Sequence, residues 1–145
     1  MGRSLALLHQ REPDKALGSR TLDEVENVRR SVTEGRAYPA PYERVGGQAI
    51  IEWLDTTPPA NDPVWTHGSP VVASALVVDS AVSYEPGGED GFDPPERDLA
   101  IVLRSIAETF TSEVARTFLD GYQEAGGCEP ESAALDWYGL LAAFR

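Results

Sequence analysis

Five apolar side chains, Leu99, Val102, Leu103, Ile106 and Phe110, constrain this chain more than any other feature. Their spacing of three and four residues sets them along one side of a helix over Asp98 to Phe110, and that side must be buried. A second helix follows at once. Ser112 to Ala125 carries Val114, Phe118 and Tyr122 at intervals of four, and Gly126-Gly127 supplies its stop signal. A third, Ser132 to Phe144, closes the sequence with Trp137, Tyr138, Leu141 and Phe144.

The first half is less uniform. Ser4 to Gln10 reads as a short, nearly all-apolar helix. Thr21 and Glu24 form the pattern of a capping box, with Thr21 at the N-cap, and Leu22, Val25, Val28 and Val32 follow at near-helical spacing up to Gly35. Tyr38-Pro39-Ala40-Pro41 is an extended connector. Ile50, Trp53 and Leu54 give a helical face to Gln48–Leu54, which Pro58-Pro59 must end. Between the two helical halves lies β structure. Pro63 to Thr66 is a short strand, Ser74–Val78 and Ala81–Tyr84 form a hairpin turning near Asp79-Ser80, and Gly87-Gly88 with Asp90-Gly91 mark an acidic loop. The expected fold is mainly α with a small β-hairpin (α+β), in one domain over residues 1–145.

Charge and composition exclude several classes. A net charge of −12 opposes nucleic acid and anionic membrane and favours a cationic ligand or a basic partner. Cys128 is the only cysteine, and His9 and His67 are the only histidines, so neither a disulfide framework nor a histidine zinc cage is expected, and no metal site is assigned. No apolar run approaches the roughly 20 residues that span a bilayer. The first residues lack a signal-peptide core and a myristoylation signal, which makes the cytoplasm the default location.

Three motif-like stretches stand in order: His67-Gly68-Ser69-Pro70-Val71-Val72-Ala73-Ser74-Ala75-Leu76-Val77, then Ser83-Tyr84-Glu85, then Phe92-Asp93-Pro94-Pro95-Glu96-Arg97-Asp98-Leu99-Ala100. This frame resembles the carboxy-terminal lobe of the aminoglycoside phosphotransferase and choline kinase-like family, whose pattern is HGDxxxxNxLV, a hairpin ending in I-D-W/F-E, and GDPxxDLA. Leu5-Ala6-Leu7-Leu8-His9 is similar to the family's L-A-x-L-H helix. Phe118-Leu119-Asp120-Gly121-Tyr122 with Ala125-Gly126-Gly127 resembles its late F-L-x-G-Y-x-x-A-G-G, and Trp137-Tyr138 with Leu140-Leu141-Ala142 its last helix. The resemblance implies a kinase-like carboxy-terminal lobe without the amino-terminal nucleotide lobe. No GxxxxGK[ST] stretch occurs, and Lys15, the only lysine, lies in a polar connector.

The reactive side chains of that pattern are replaced. Ser69 stands where the resemblance places the catalytic Asp, and Ser74 and Ser83 stand where it places the magnesium-holding amide and Asp. A neutral hydroxyl is a poor base at pH 7 and a weak magnesium ligand, and losing one electrostatic group costs roughly 100-fold or more in rate. Kinase activity is therefore not expected, and no cofactor is assigned. Asp98 is implied to brace the loop and His67 to be held by it, both structural roles. The ligand-binding candidates are Trp65, His67, Ser69, Ser74, Ser83, Tyr84 and Glu85; the candidates for residual chemistry are Glu85, His67 and Ser69. His67 and Ser69 share a strand face but lack the G-x-S-x-G elbow of a serine hydrolase. Glu89, Asp90 and Asp93 extend the acidic set, with Asp93 expected to cap the helix that follows.

Three functions fit. One is a non-phosphorylating protein that binds a small molecule or peptide, favouring a cationic one, as an accessory in natural-product biosynthesis or resistance. Another is a repurposed cyclase or lyase moving protons on a modified peptide. The third is an interaction subunit, with a homo-oligomer or partner covering apolar surface around Leu5 to Leu8.

Overall fold

The computed structural model describes residues 1–12, 18–58, 60–78, 81–84 and 90–145. Among them are six α-helices: α1 (Gly2–His9), α2 (Thr21–Thr33), α3 (Gly47–Leu54), α4 (Pro95–Thr109), α5 (Ser112–Glu124) and α6 (Ser132–Ala143). Four short strands, β1 (Val64–Thr66), β2 (Ala75–Val78), β3 (Ala81–Tyr84) and β4 (Gly91–Asp93), form two antiparallel pairs. The mainly α architecture with a small hairpin agrees with the sequence reading.

Helix α4 organises the interior because two of its faces are buried at once. Leu99, Val102 and Ile106 join Leu5 and Ala6 of α1 and Phe118 and Tyr122 of α5 in one core. Ala100, one residue round the helix, joins Val28, Ile50, Leu54 and the α6 residues Trp137, Leu140 and Leu141 in a second core. A helix that is apolar on both sides and polar at its start can lie between two layers without leaving a solvated face. Its start is Pro95, where the missing N–H of proline costs nothing.

Several local expectations yield to tertiary packing. Phe110 lies past the end of α4 in extended backbone and is half exposed, since the chain turns there toward α5. Leu22 is 77% exposed on the outer side of α2. Gly91, expected in a loop, opens β4, which pairs with β1 in the register Val64↔Asp93, Trp65↔Phe92 and Thr66↔Gly91. The Tyr38–Pro41 connector is present, with a cis Ala40–Pro41 peptide, and a 3-10 turn over Tyr42–Arg44 follows it. The expected turn at Asp79-Ser80 and the Gly87-Gly88 pair lie outside the described residues. In the β2–β3 hairpin the register is Ala75↔Tyr84, Leu76↔Ser83, Val77↔Val82 and Val78↔Ala81.

Leu99 is fully buried where α1, α4 and α5 meet. Leu99→Ala is expected to lower the unfolding free energy by about 2–5 kcal/mol, measured by urea denaturation.

Candidate functional site

The loop after β1 is held by one carboxylate. Asp98, fully buried in the first turn of α4, accepts the backbone N–H of His67 at 2.7 Å through Oδ2 and that of Gly68 at 2.9 Å through Oδ1. Two successive N–H groups point at one side chain, and directly after them Gly68 takes a φ of 82°, a conformation that costs glycine little. Charge-assisted bonds of this kind are roughly twice as strong as neutral ones.

His9 completes the shell of Asp98. Its Nε2 lies 3.2 Å from Asp98 Oδ2 and its Nδ1 lies 2.8 Å from the Tyr122 hydroxyl. A carboxylate only accepts, so Nε2 carries the proton, and in the neutral ring Nδ1 accepts from Tyr122. Cys128 Sγ sits 3.9 Å from the Tyr122 oxygen. Burial, then the neighbouring Cys128, pushes the Tyr122 hydroxyl well above its usual pKa. Burial likewise raises the Cys128 thiol.

A second buried carboxylate, Asp93 at the end of β4, does not cap α4, whose N-cap position is Pro94. Asp93 instead turns to the start of α2, accepting from Ser19 Oγ, from Thr21 Oγ1 at 2.8 Å and from the Arg20 N–H at 3.1 Å. Thr21 is accordingly the first helical residue rather than the cap, and the capping box does not form. Glu24 is drawn away from the helix start by Arg97, which donates to it from Nε at 3.0 Å and from Nη2 at 2.7 Å. Burial works against the Arg97 charge, but the bonds to Glu24 and the nearby carboxylates outweigh it and raise the pKa further.

The ligand-binding candidates fall into two groups. Trp65, His67, Ser83 and Tyr84 line one cavity of about 430 Å³ together with Leu7, Arg11 and Asp90. The His67 and Tyr84 rings lie 5.5 Å apart, and the Arg11 guanidinium sits 5.7 Å over the Trp65 ring. Ser69 faces a separate cavity of about 270 Å³ beside Arg104, Ser105, Glu108 and Arg145. The Ser69 N–H lies 3.3 Å from His67 Nδ1. Ser74 lies in the 3-10 turn before β2, and its hydroxyl is oriented onto the carbonyls of Val71 at 2.8 Å and Ser69 at 3.3 Å. Glu85 and Glu89 lie outside the described residues.

In the wall of the larger cavity two polar atoms, the Tyr84 hydroxyl and Asp90 Oδ1, are buried out of reach of water and have no hydrogen-bond partner among the described residues. Burial, and then the Asp98 charge, holds the Tyr84 hydroxyl protonated far above its usual range, so it stands as a donor. Three neutral serine hydroxyls suit a magnesium ion poorly, since that ion prefers anionic oxygen, and Ser69 and Ser83 line different cavities. No group of three His, Cys, Asp or Glu side chains that could hold a metal occurs among the described residues.

The structure superposes on solved phosphotransferases. It matches an aminoglycoside-3'-phosphotransferase of type VIII with a TM-score of 0.77 at 24% identity, covering 99% of this chain and 60% of that one. The fold is that of the aminoglycoside phosphotransferases. An aminoglycoside phosphotransferase from Streptomyces rimosus, solved with ADP and streptomycin, matches with a TM-score of 0.75 at 16% identity over 99% of this chain and 60% of its own. Macrolide 2'-phosphotransferase type I matches at 0.67 and 22% identity over 99% of this chain and 48% of its own. The chain therefore spans about 60% or less of the length of these structures. Near-complete coverage of this chain with partial coverage of theirs fits a single lobe of the phosphotransferase fold. No family model and no curated protein matches the sequence.

Sequence reasoning missed the partners of these groups rather than the groups themselves. His9, Asp98 and Tyr122 all stood in recognisable motifs, yet their contacts span 89 and 113 residues. Arg97 carried no local signal, since its neighbours Glu96 and Asp98 turn to other partners and its own, Glu24, lies 73 residues away.

Asp98→Asn removes the charge and turns an amide toward one of the two loop N–H groups. It is expected to cost about 1.5–3 kcal/mol or more of stability by denaturation, with loss of amide-exchange protection at His67 and Gly68. Cys128, Tyr84 and Tyr122 have raised pKa values in the folded state, so the unfolded chain ionises first as pH rises. Stability is then full below about pH 8.5 and falls above it, first through Cys128 and then through the tyrosines above about pH 10. Iodoacetamide should label Cys128 at pH 8 more slowly than it labels free cysteine.

Proposed function

We propose that this chain is a binding protein on the phosphotransferase fold, which holds a small molecule or peptide in the cavity beside His67 and does not itself transfer phosphate. The observation that carries this reading is the lining of that cavity, where Trp65, His67, Ser83 and Tyr84 meet and the Arg11 guanidinium rests over the Trp65 ring. The Tyr84 donor and the Asp90 acceptor lie buried in its wall without a partner among the described residues, and a ligand that displaces the wall to reach them must supply both complements.

A ligand with both an acceptor and a donor, such as a hydroxylated amine or a peptide, meets that requirement. The net charge of −12 favours a cation, and the Trp65 and Tyr84 rings provide faces for one. Arg11 already occupies the Trp65 face and stands in for such a cation. The absence of phosphoryl transfer rests on the loop chemistry: the backbone is braced by Asp98, while hydroxyls occupy the positions that would move a proton or hold magnesium.

A second reading has its own observation. Leu7 is 56% exposed and Val77 71%, and Leu76 beside it is also exposed, whereas Leu5 and Ala6 are buried. Leu7 lines the cavity with Ser83, the register partner of Leu76, so Leu7 and Leu76 border one rim, while Val77 faces the other side of the hairpin. A partner subunit or second copy covering that rim would close the cavity. Sedimentation velocity distinguishes the cases, since a monomer across the micromolar range removes the self-association form of this reading.

Titration calorimetry with streptomycin, the ligand named in the Streptomyces rimosus structure, tests the binding reading directly. Saturable binding without nucleotide is expected, weakened about 2- to 10-fold in Tyr84→Phe. Arg11→Ala should strengthen it by freeing the Trp65 face. Native mass spectrometry with ATP and magnesium is expected to show no nucleotide adduct, and appearance of a phosphorylated product would falsify the proposal.

A further inference from the structure

A groove of about 530 Å³ opens along α5 between the start of α1 and the end of α4. Ile106 and Phe118, both buried, form its floor, and Val114, 39% exposed, stands at its edge. Thr117 and Gly121 complete the α5 side, so little side chain rises above the backbone in the middle of the strip. The turn that brings α4 round to α5 leaves Phe110 half exposed as well.

One charge stands toward each end of this strip. Glu113 lies in the first turn of α5. Arg3 lies where α1 passes Gly121, whose Cβ position is 4.0 Å from the Arg3 nitrogen. The two stations are about 12 Å apart along the helix. Both residues are exposed, and neither has an ion pair among the described residues. Thr117 lies midway between Glu113 and Gly121. A two-fold axis through Thr117 sets each Arg3 against the second copy's Glu113 and each Val114 beside the second copy's Gly121, where no side chain blocks it.

We propose that two copies of this chain associate through this groove, with their α5 helices antiparallel. A net charge of −12 on each copy opposes association in general. Salt screens charges beyond a Debye length of about 8 Å, so the charge at the contact itself decides. There it balances: Arg3 offsets Glu113 in the groove, and Arg116 offsets Asp120 on the same helix. The antiparallel arrangement also brings Glu124, the last residue of α5, to the start of the second copy's α5, where the helix dipole favours a carboxylate. One helix face is small against the roughly 800 Å² per partner of a standard interface, so the expected dissociation constant is about 10–100 μM. This face shares no residue with the cavity beside His67 and is independent of the binding reading.

Sedimentation velocity of the untagged chain from about 1 to 500 μM is the test, and a monomer throughout overturns the proposal. Arg3→Glu and Glu113→Arg each set like charges against one another at both ends of the contact, and each is expected to raise the dissociation constant about 10-fold or more. Both positions are exposed, so a cooperative melt like that of the parent protein verifies the fold of each variant. Mixing the two variants in equal amounts returns an opposite-charge pair to each end, and a heterodimer of parent affinity is expected. A dimer that withstands Arg3→Glu, or variants that stay monomeric when mixed, overturns this face.

Discussion

The buried carboxylate of Asp98 is the interaction on which the rest of the structure depends. Removing a carboxylate from water costs several kcal/mol, so it survives in the interior only when nearly every lone pair is used. Here the N–H groups of His67 and Gly68 and the His9 ring use them. The same contacts tie three distant parts of the chain together: α1 through His9, the loop after β1, and α5 through Tyr122 behind His9. The loop gains its conformation from α4 rather than from its own residues.

Helix α4 carries that carboxylate and the two apolar faces that join the cores, so it links polar and apolar order. Its first turn places Glu96, Arg97 and Asp98 in the interior together. Each points to a different neighbour. Glu96 Oε1 accepts the N–H groups of Asn61 and Glu131, Arg97 pairs with Glu24 on α2, and Asp98 holds the loop. Three adjacent charges facing three ways explain why the helix cannot rotate or slide without stranding a charge.

The scaffold and the chemistry of the loop are separable. The backbone of the loop after β1 is held by Asp98 and takes a left-handed step at Gly68. Of the side chains that the loop carries, Ser74 spends its hydroxyl on loop carbonyls. The loop also divides the candidates: His67, Ser83, Trp65 and Tyr84 face one cavity and Ser69 another. Spacing in the sequence carried no sign of that division, because Ser69 is only two residues from His67 and the two sides of a loop cannot be told apart by distance along the chain.

Helix positions were legible in the sequence because the 3.6-residue period and glycine stops are local properties, as at Leu99–Ile106 and Gly126. The motif frame was legible for the same reason, since its residues are near neighbours. What the tertiary structure alone decided was the use of each polar group. Asp93 and Glu24 both read as caps of their own helices, and both instead serve contacts 72 and 73 residues away. A cap bond competes on nearly equal terms with water, whereas pairing a buried guanidinium does not, so Arg97 took Glu24 once folding had buried it. Burial is a property of the assembled layers, and no local pattern specifies it.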